Sequence, residues 1–172
     1  MTTTVEQRTL TQAELAAARG LSIKQPYAFS IAEGFKTIEN RTRSTRYRGP
    51  LFIHASQPLL RTLPIARYSR AAALRLDELG GSTNFWDARK HIPSKEVATP
   101  HPTLARSAVI ATARLTGCHR ASNGCCAPWG FPEMWHWELA DVQPLRQAVP
   151  RAGALGLWKT DAALSAAVAE AT

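Results

Sequence analysis

The sequence of 172 residues has little of several features that mark special classes of protein. It contains three cysteines, and so small and odd a number does not make the disulfide framework of a secreted domain. No apolar run approaches the ~18 residues that a membrane-spanning helix needs. The opening MTTTVEQRTL lacks the basic and then apolar layout of a signal peptide. We therefore expect a cytoplasmic protein that makes no contact with a membrane.

Acidic residues are also scarce, since 13 Asp and Glu stand against 21 Lys and Arg, of which sixteen are Arg. The formal net charge is +8 and the pI is about 10.0. This excess favours polyanionic partners such as RNA or a nucleotide-like ligand, because phosphates exchange condensed counterions for fixed cations. An Arg-rich and Ala-rich composition also follows from a GC-rich genome, so charge alone does not decide the partner. The apolar fraction of 45% is ordinary for one globular domain.

Hydrophobic periodicity and Gly/Pro punctuation predict short helices mixed with five or six short strands. Helices are predicted over 11–19, 26–33, 57–80 and 160–171, strands over 21–24, 36–41, 51–56, 107–118, 135–142 and 153–158, and a surface loop over 81–106. Thr11 and Glu14 fit a capping box at the first helix. Because the strands do not alternate regularly with helices, we predict an α+β fold, a small β-barrel decorated by short helices. We predict three parts along the chain: a tail and short helix over 1–20, one domain over 21–158 and a C-terminal helix over 159–172.

Residues 22–56 carry the densest set of chemical groups. Strand alternation places Thr37, Glu39 and Arg41 on one face, so Glu39 and Arg41 can form an ion pair. A guanidinium held by a carboxylate is oriented to grip a phosphate or a carbonyl group. Lys36 joins this site only if it lies in the turn before the strand begins. The same spacing is equally consistent with a purely structural ion pair.

Several separate blocks of sequence resemble the ASCH (activating-signal-cointegrator homology) domain family, whose members resemble PUA-like barrels. The blocks are LSIKQP at 21–26, GFKTIENR at 34–41, YRGP at 47–50, IHAS at 53–56, PWG at 128–130, HWEL at 136–139 and GLW at 156–158. They occur in order and cover about residues 21–158. Tyr27 stands where Trp is frequent in the family, and the 81–106 loop follows no family pattern.

The resemblance implies a PUA-like β-barrel of five to six strands, with a cleft beside its first helix that binds RNA or a modified nucleoside. One branch of the family removes the acetyl group of N4-acetylcytidine with a Lys, a Thr three residues later and a distant Glu. Lys36 matches that Lys, and Glu39 stands in the place of the Thr. A metal-independent amidohydrolase with Lys36 and Glu39 as catalytic groups, or a ribonuclease, is therefore the alternative to a binding domain. A module that binds acidic peptides is a third possibility.

The predicted binding residues combine the cleft of the resemblance with the basic segment that follows it. Arg46 and Arg48 are expected to guide phosphates, and Trp129, in a Gly/Pro loop, is expected to stack a base. Trp137 and Trp158 are expected to pack in the core. The full predicted set is Lys24, Gln25, Lys36, Glu39, Arg41, Arg46, Arg48 and Trp129.

Metal-ligating residue types also cluster in the last third of the chain. They are Cys118, His119, Cys125, Cys126 and His136. No Cys-x-x-Cys pair occurs, and two adjacent cysteines do not easily face one tetrahedral ion, so we predict neither a metal site nor a cofactor. His54, inside an apolar strand, is expected to be a hydrogen-bonded residue of the core or cleft. The identity of the ligand and the oligomeric state stay open.

Overall fold

The computed structural model of the chain describes residues 8–59 and 101–172. Its α-helices are α1 (Gln12–Ala17), α2 (Tyr27–Ala32) and α3 (Ala162–Ala171), and a 3-10 turn spans Pro102–Leu104. Its strands are β1 (Arg19–Gln25), β2 (Ile38–Arg41), β3 (Gly49–Leu59), β4 (Ala108–Arg120), β5 (Trp135–Pro150) and β6 (Leu157–Lys159). No helix in this part of the chain is long and apolar enough to cross a membrane.

The six strands form one mixed sheet in the order β2-β5-β4-β3-β1-β6. Strand β1 pairs in parallel with β3, and the other ladders are antiparallel. This arrangement confirms the predicted α+β class and the number of strands. The sheet is open, however, and does not close into the expected barrel. Its edge strands β2 and β6 have only four and three residues, and within the described ranges no ladder joins them.

Helices cover both faces of this sheet and produce two large apolar clusters, besides a small one of Phe29 and Leu104. Helix α2 contributes Ile31 to the first cluster, whereas α1 and α3 contribute to the second, for example through Leu164. The central strand β4 supplies Ile110 to the first cluster and Val109 to the second, because successive side chains of a strand point to opposite faces. Burial on both sides explains why residues 108–113 are buried without interruption.

The first helix begins as its sequence predicts. The Glu14 backbone N–H donates to Thr11 Oγ1 at 3.3 Å, and the Thr11 N–H donates to a Glu14 carboxylate oxygen at 2.8 Å. This capping box satisfies two N–H groups that a helix start leaves without partners. The Glu14 carboxylate also lies 2.6 Å from Arg114 Nη2 on β4. The Thr11 N–H and Arg114 together lower the pKa of Glu14 to about 2.

The other predicted elements occur with shifted ends. The strand predicted over 135–142 continues to Pro150, and the strand predicted over 153–158 is the shorter β6. Strand β3 runs to Leu59, so the helix predicted over 57–80 is wrong at its start, and its remainder lies outside the described residues. Residues 81–100 of the predicted 81–106 loop also lie outside the described residues.

Candidate functional site

A cleft of about 640 Å³ opens at the surface where β1, α2, β2 and β3 meet. The segment 152–155, between β5 and β6, forms one of its walls. Most residues on the other walls have polar side chains, among them Ser22, Lys24, Glu39, Arg41, His54 and Gln57. A cleft of this volume is large enough for a nucleotide-sized molecule.

The Glu39 carboxylate lies at the centre of a chain of three charges. Its Oε2 atom is 3.1 Å from Lys36 Nζ, and its Oε1 atom is 3.1 Å from Arg41 Nε. The predicted Glu39–Arg41 ion pair therefore forms. Lys36 joins it because β2 begins only at Ile38, which leaves Lys36 in the turn after α2. Two cations thus hold the carboxylate of Glu39, whose side chain is 10% exposed, at the wall of the cleft.

Lys36 lies beneath the cleft and not in its lining. Its side chain is 0% exposed, and Nζ also donates to the Ile38 carbonyl oxygen and lies 5.3 Å from the centre of the Tyr27 ring. Burial lowers the pKa of this amine, Glu39 opposes that effect, and Arg41 adds to it. Lys36 therefore positions Glu39 and does not reach a ligand directly, which argues against the predicted role as a group that attacks substrate.

Arg41 is oriented from several sides and remains accessible. Its Nη2 atom donates to the Ser22 carbonyl oxygen at 2.8 Å, and its guanidinium lies 5.7 Å from the centre of the Trp137 ring. The side chain is 23% exposed and lines the cleft. A guanidinium restrained in this way loses little further conformational entropy when it binds an anion or a carbonyl group.

The aromatic surface of the cleft is Tyr27 and not Trp129. Trp129 is only 5% exposed, and its Nε1–H donates to the Phe35 carbonyl oxygen at 2.7 Å, so its ring offers no face to a base. It packs instead against Tyr27, with ring centres 6.4 Å apart and an interplanar angle of 88°. Phe131 makes a second edge contact with Tyr27 at 6.3 Å. The half-buried Tyr27 ring, supported in this way, lines the cleft.

These features agree with the comparison against known protein families. The ASCH domain family model matches residues 21–147, which is most of the chain. The chain belongs to the ASCH domain family. No curated protein shows significant similarity to it. The match includes most of β1, all of β2 to β4, most of β5 and every predicted binding residue, whereas α1, β6 and α3 lie outside it.

Lys24 and Gln25 are adjacent in the sequence of this ASCH domain, but only Lys24 lies at the surface of the cleft. Lys24 is exposed and lines the cleft, as predicted from sequence. Gln25 is 0% exposed, and its amide nitrogen donates to the carbonyl oxygens of Thr103 at 2.8 Å and Ala105 at 2.9 Å. Its amide oxygen accepts from the Phe29 N–H at 2.9 Å. These bonds tie β1 and α2 to the 3-10 turn, so Gln25 is structural and not available to a ligand.

Arg46 and Arg48 are exposed but do not belong to the lining of the cleft. Arg48 Nη1 donates to the carbonyl oxygens of Thr45 at 3.0 Å and Tyr47 at 2.7 Å, so this guanidinium braces its own segment. Arg43 is exposed on the same segment. The arginine segment, residues 42–48, therefore adds positive surface close to Arg41 in the chain without forming the cleft itself.

The cleft also contains groups that sequence reasoning did not assign to ligand binding. His54 Nε2 donates to the Arg151 carbonyl oxygen at 2.8 Å, and its Nδ1 has no hydrogen-bond partner among the described residues. Burial lowers the pKa of this imidazole, so it is neutral near pH 7. Gly153 is needed beside it, because a Cβ there would lie 2.6 Å from His54 Nδ1 and 2.5 Å from Ser22 Oγ. The glycine is visible in sequence, but the contact that requires it is not.

Four of the five residues of metal-ligating type lie close together in this ASCH domain, although two adjacent cysteines were not expected to face one point easily. Donor atoms of His119, Cys125, Cys126 and His136 all lie within 4.8 Å of one another. The adjacent cysteines converge because Cys126 adopts a φ of 60°, in the left-handed region, which turns its side chain toward that of Cys125. The hydrogen bond that the Ser122 N–H donates to Cys125 lowers the pKa of this thiol to about 6, and the contact of Sγ with the His119 ring adds to the effect.

Proposed function

We propose that the cleft binds single-stranded RNA or a nucleotide-like ligand. The ASCH domain family is generally associated with RNA binding, and the chain belongs to it. The observation that carries the proposal is the Glu39 carboxylate, which Lys36 and Arg41 hold at the wall of a nucleotide-sized cleft beside the Tyr27 ring.

The polar groups suit the edge of a nucleobase. A carboxylate such as that of Glu39 accepts hydrogen bonds from an exocyclic amino group, and a guanidinium such as that of Arg41 donates to ring nitrogen or carbonyl oxygen atoms. The Tyr27 ring can stack on the face of the same base, which typically contributes roughly 1–3 kcal/mol to binding. Donor, acceptor and aromatic surface lie on one cleft, so one base can contact all three.

The charge distribution suits a phosphate backbone. Lys36 and Arg41 hold the Glu39 carboxylate, and Lys24 adds a third cation to the lining of the cleft, so cations outnumber the one carboxylate there. The exposed cations of the arginine segment follow Arg41 in the chain. Phosphates that replace their counterions with these side chains gain affinity at low salt and lose it at high salt.

Fluorescence anisotropy with a labelled single-stranded RNA tests the proposal, with unlabelled mononucleotides as competitors. We expect affinity to fall with salt by about 0.7 in log K per unit of log salt concentration for each phosphate contacted. Arg41→Gln should weaken binding about tenfold or more. Tyr27→Leu should weaken it by the roughly 1–3 kcal/mol that stacking on the ring contributes. Arg146→Gln removes the same charge from a residue that bonds to the Glu170 carbonyl of α3, and it should leave affinity unchanged.

Results of three kinds would oppose the proposal. Binding that is absent at low ionic strength, or that does not respond to salt, would exclude a polyanion partner. Equal effects of Arg41→Gln and Arg146→Gln would place RNA outside the cleft. Competition by polyglutamate that is insensitive to Tyr27→Leu would favour the acidic-peptide alternative, since a peptide of this kind has no base to stack.

Hydrolysis of an acylated nucleoside is the second candidate function. It is favoured by the position of Glu39, a carboxylate on the cleft that could take a proton from water as the water attacks an acyl carbonyl carbon. Cleavage of the C–N bond of N4-acetylcytidine would yield acetate and cytidine. Chromatography of the products formed by wild type and by Glu39→Gln, with a chelator present, tests this reaction. If Lys36→Met still turns over the substrate, Lys36 only positions Glu39 and takes no direct part in the reaction. Shortening of the labelled RNA in the binding assay would instead reveal a ribonuclease.

A further inference from the structure

Two histidines and two cysteines form a cluster next to the cleft that the proposed function does not use. His119 on β4 and His136 on β5 are direct partners across the antiparallel ladder, and their ring centres are 5.2 Å apart. Cys125 and Cys126 lie in the loop that joins these strands, which we term the cysteine loop (residues 121–134). The ladder therefore presents two imidazoles from one side, and the loop folds over them to present two sulfurs.

Three sulfur–nitrogen distances within the cluster are close to those of a tetrahedral metal centre. Cys125 Sγ lies 3.6 Å from His119 Nε2 and 3.4 Å from His136 Nδ1, and Cys126 Sγ lies 3.5 Å from His119 Nε2. With Zn–S and Zn–N bonds of roughly 2.3 and 2.0–2.1 Å at tetrahedral angles, sulfur and nitrogen ligands are separated by about 3.6 Å. The side chains need little movement to bind one ion between them.

The outer contacts of both histidines are those that metal sites use. His119 Nδ1 lies 2.7 Å from a carboxylate oxygen of Glu138, and His136 Nε2 donates to the Phe131 carbonyl oxygen at 2.9 Å. Each outer nitrogen is thereby held as the N–H donor, so the lone pair of the other nitrogen faces the sulfurs. A carboxylate or backbone carbonyl in this position fixes the tautomer and orientation of a metal-ligating imidazole. The Ser122 N–H also donates to Cys125 Sγ at 3.4 Å.

We propose that His119, Cys125, Cys126 and His136 bind one Zn²⁺ ion in a closed, structural Cys₂His₂ site. Thiolate and imidazole ligands in tetrahedral geometry favour zinc over the oxygen-seeking Mg²⁺ and Ca²⁺. Four protein ligands leave no position for a reactive water, so the ion holds the fold and does not catalyse. This assignment does not depend on what the cleft binds.

The role of such an ion follows from what the cysteine loop touches. The Asn40 side chain donates to the Trp129 carbonyl oxygen at 2.8 Å and accepts from the Phe131 N–H at 2.8 Å. The rings of Trp129 and Phe131 in turn support Tyr27. Zinc that ties the loop to β4 and β5 would therefore fix the aromatic wall of the cleft.

The test uses the full chain, purified under reducing conditions and stripped of metal with a chelator. Co²⁺ serves as a visible substitute for Zn²⁺, because tetrahedral Co²⁺ with thiolate ligands shows intense visible bands and a sulfur-to-metal charge-transfer band. We expect one equivalent of Co²⁺ to produce this spectrum and one equivalent of Zn²⁺ to displace it. The wild-type melting temperature should rise with Zn²⁺ and fall with the chelator.

Variants assign the ligands. Glu138→Gln, which alters only an outer contact, should weaken Zn²⁺ binding roughly 10- to 100-fold, and Cys125→Ser and Cys126→Ser, which each remove a ligand, should weaken it further. Cys118→Ser is the matched control, since Cys118 is a third thiol on β4 that lies outside the cluster. It should bind Zn²⁺ like the wild type.

Three outcomes would overturn the assignment. The first is a wild-type chain that gives no tetrahedral Co²⁺ spectrum. The second is Zn²⁺ affinity that falls as much in Cys118→Ser as in Cys125→Ser. The third is a mass 2 Da lower, found in reducing buffer and unchanged by Zn²⁺, which would identify a disulfide between Cys125 and Cys126. If the cysteine variants fail to fold by circular dichroism, the wild-type spectrum and Glu138→Gln still decide the question.

Discussion

Replacing Glu39 with Gln tests how strongly this carboxylate compensates the buried charge of Lys36 below the wall of the cleft. The substitution keeps the shape of the side chain but removes the one anion between Lys36 and Arg41. Lys36 is 0% exposed, so it would keep a buried charge without a counterion, and breaking a buried pair in this way typically costs about 3–5 kcal/mol. Arg41 remains partly solvated, which places the expected loss near the lower end, at about 3 kcal/mol. For a chain of this length that corresponds to roughly 6–12 °C in melting temperature.

A double-mutant cycle with Lys36→Met identifies the cause. Lys36→Met removes the buried cation and leaves Glu39 paired with Arg41, so it should cost less than Glu39→Gln. The double variant contains neither charge of the buried pair. The loss of unfolding free energy in the double variant should therefore be smaller than the sum of the two single losses by about 2 kcal/mol or more.

Urea unfolding at pH 7, followed by tryptophan fluorescence, measures these free energies. The exposed Glu133 supplies the control, because Glu133→Gln removes the same charge from the surface and should change stability by less than about 0.5 kcal/mol. A loss below about 1 kcal/mol in Glu39→Gln, together with an additive double variant, would refute the reasoning. The pair would then behave like a solvent-screened surface ion pair.

Three further predictions concern other parts of the fold. Because burial lowers the pKa of Lys36 below 10.5, the unfolded chain binds a proton that the folded chain lacks between the two pKa values. The stability of wild type relative to Lys36→Met should therefore rise with pH through that window, which urea midpoints would show. Lys24 is exposed, so the stability of wild type relative to Lys24→Met should show no such trend. Thr11→Ala removes the cap of α1 and should cost about 1 kcal/mol in urea unfolding; no loss would contradict the capping role. Gly20→Ala, whose Cβ would overlap the Trp158 indole, should cost roughly 1–3 kcal/mol, and an unchanged melting temperature would show that the indole moves aside.

Local spacing in the sequence determined much of the secondary structure. Thr11 and Glu14 form the predicted capping box, since the bonds of that motif close within four residues. Glu39 and Arg41 pair because alternate residues of a strand point to the same face, whatever the rest of the chain does. Separate sequence blocks also identified the ASCH family, which the family comparison confirms.

Burial decided the roles of residues whose types alone were ambiguous. Gln25 looked like a ligand-binding side chain, but its partners are carbonyl groups 78 and 80 residues away in the chain. Trp129 and Tyr27 are both aromatic residues near turns, and only their mutual packing shows which ring the cleft exposes. Such assignments depend on long-range contacts, to which local periodicity is blind.

The closure of the sheet and the cysteine cluster depended on tertiary structure alone. Strand count did not show that the edges β2 and β6 stay apart, because closure depends on which strands pair and not on how many there are. His119 and His136 are 17 positions apart in sequence, and the β4–β5 register makes them direct neighbours. The left-handed backbone at Cys126 then brings two adjacent thiols to them, a conformation that only the folded loop holds in place.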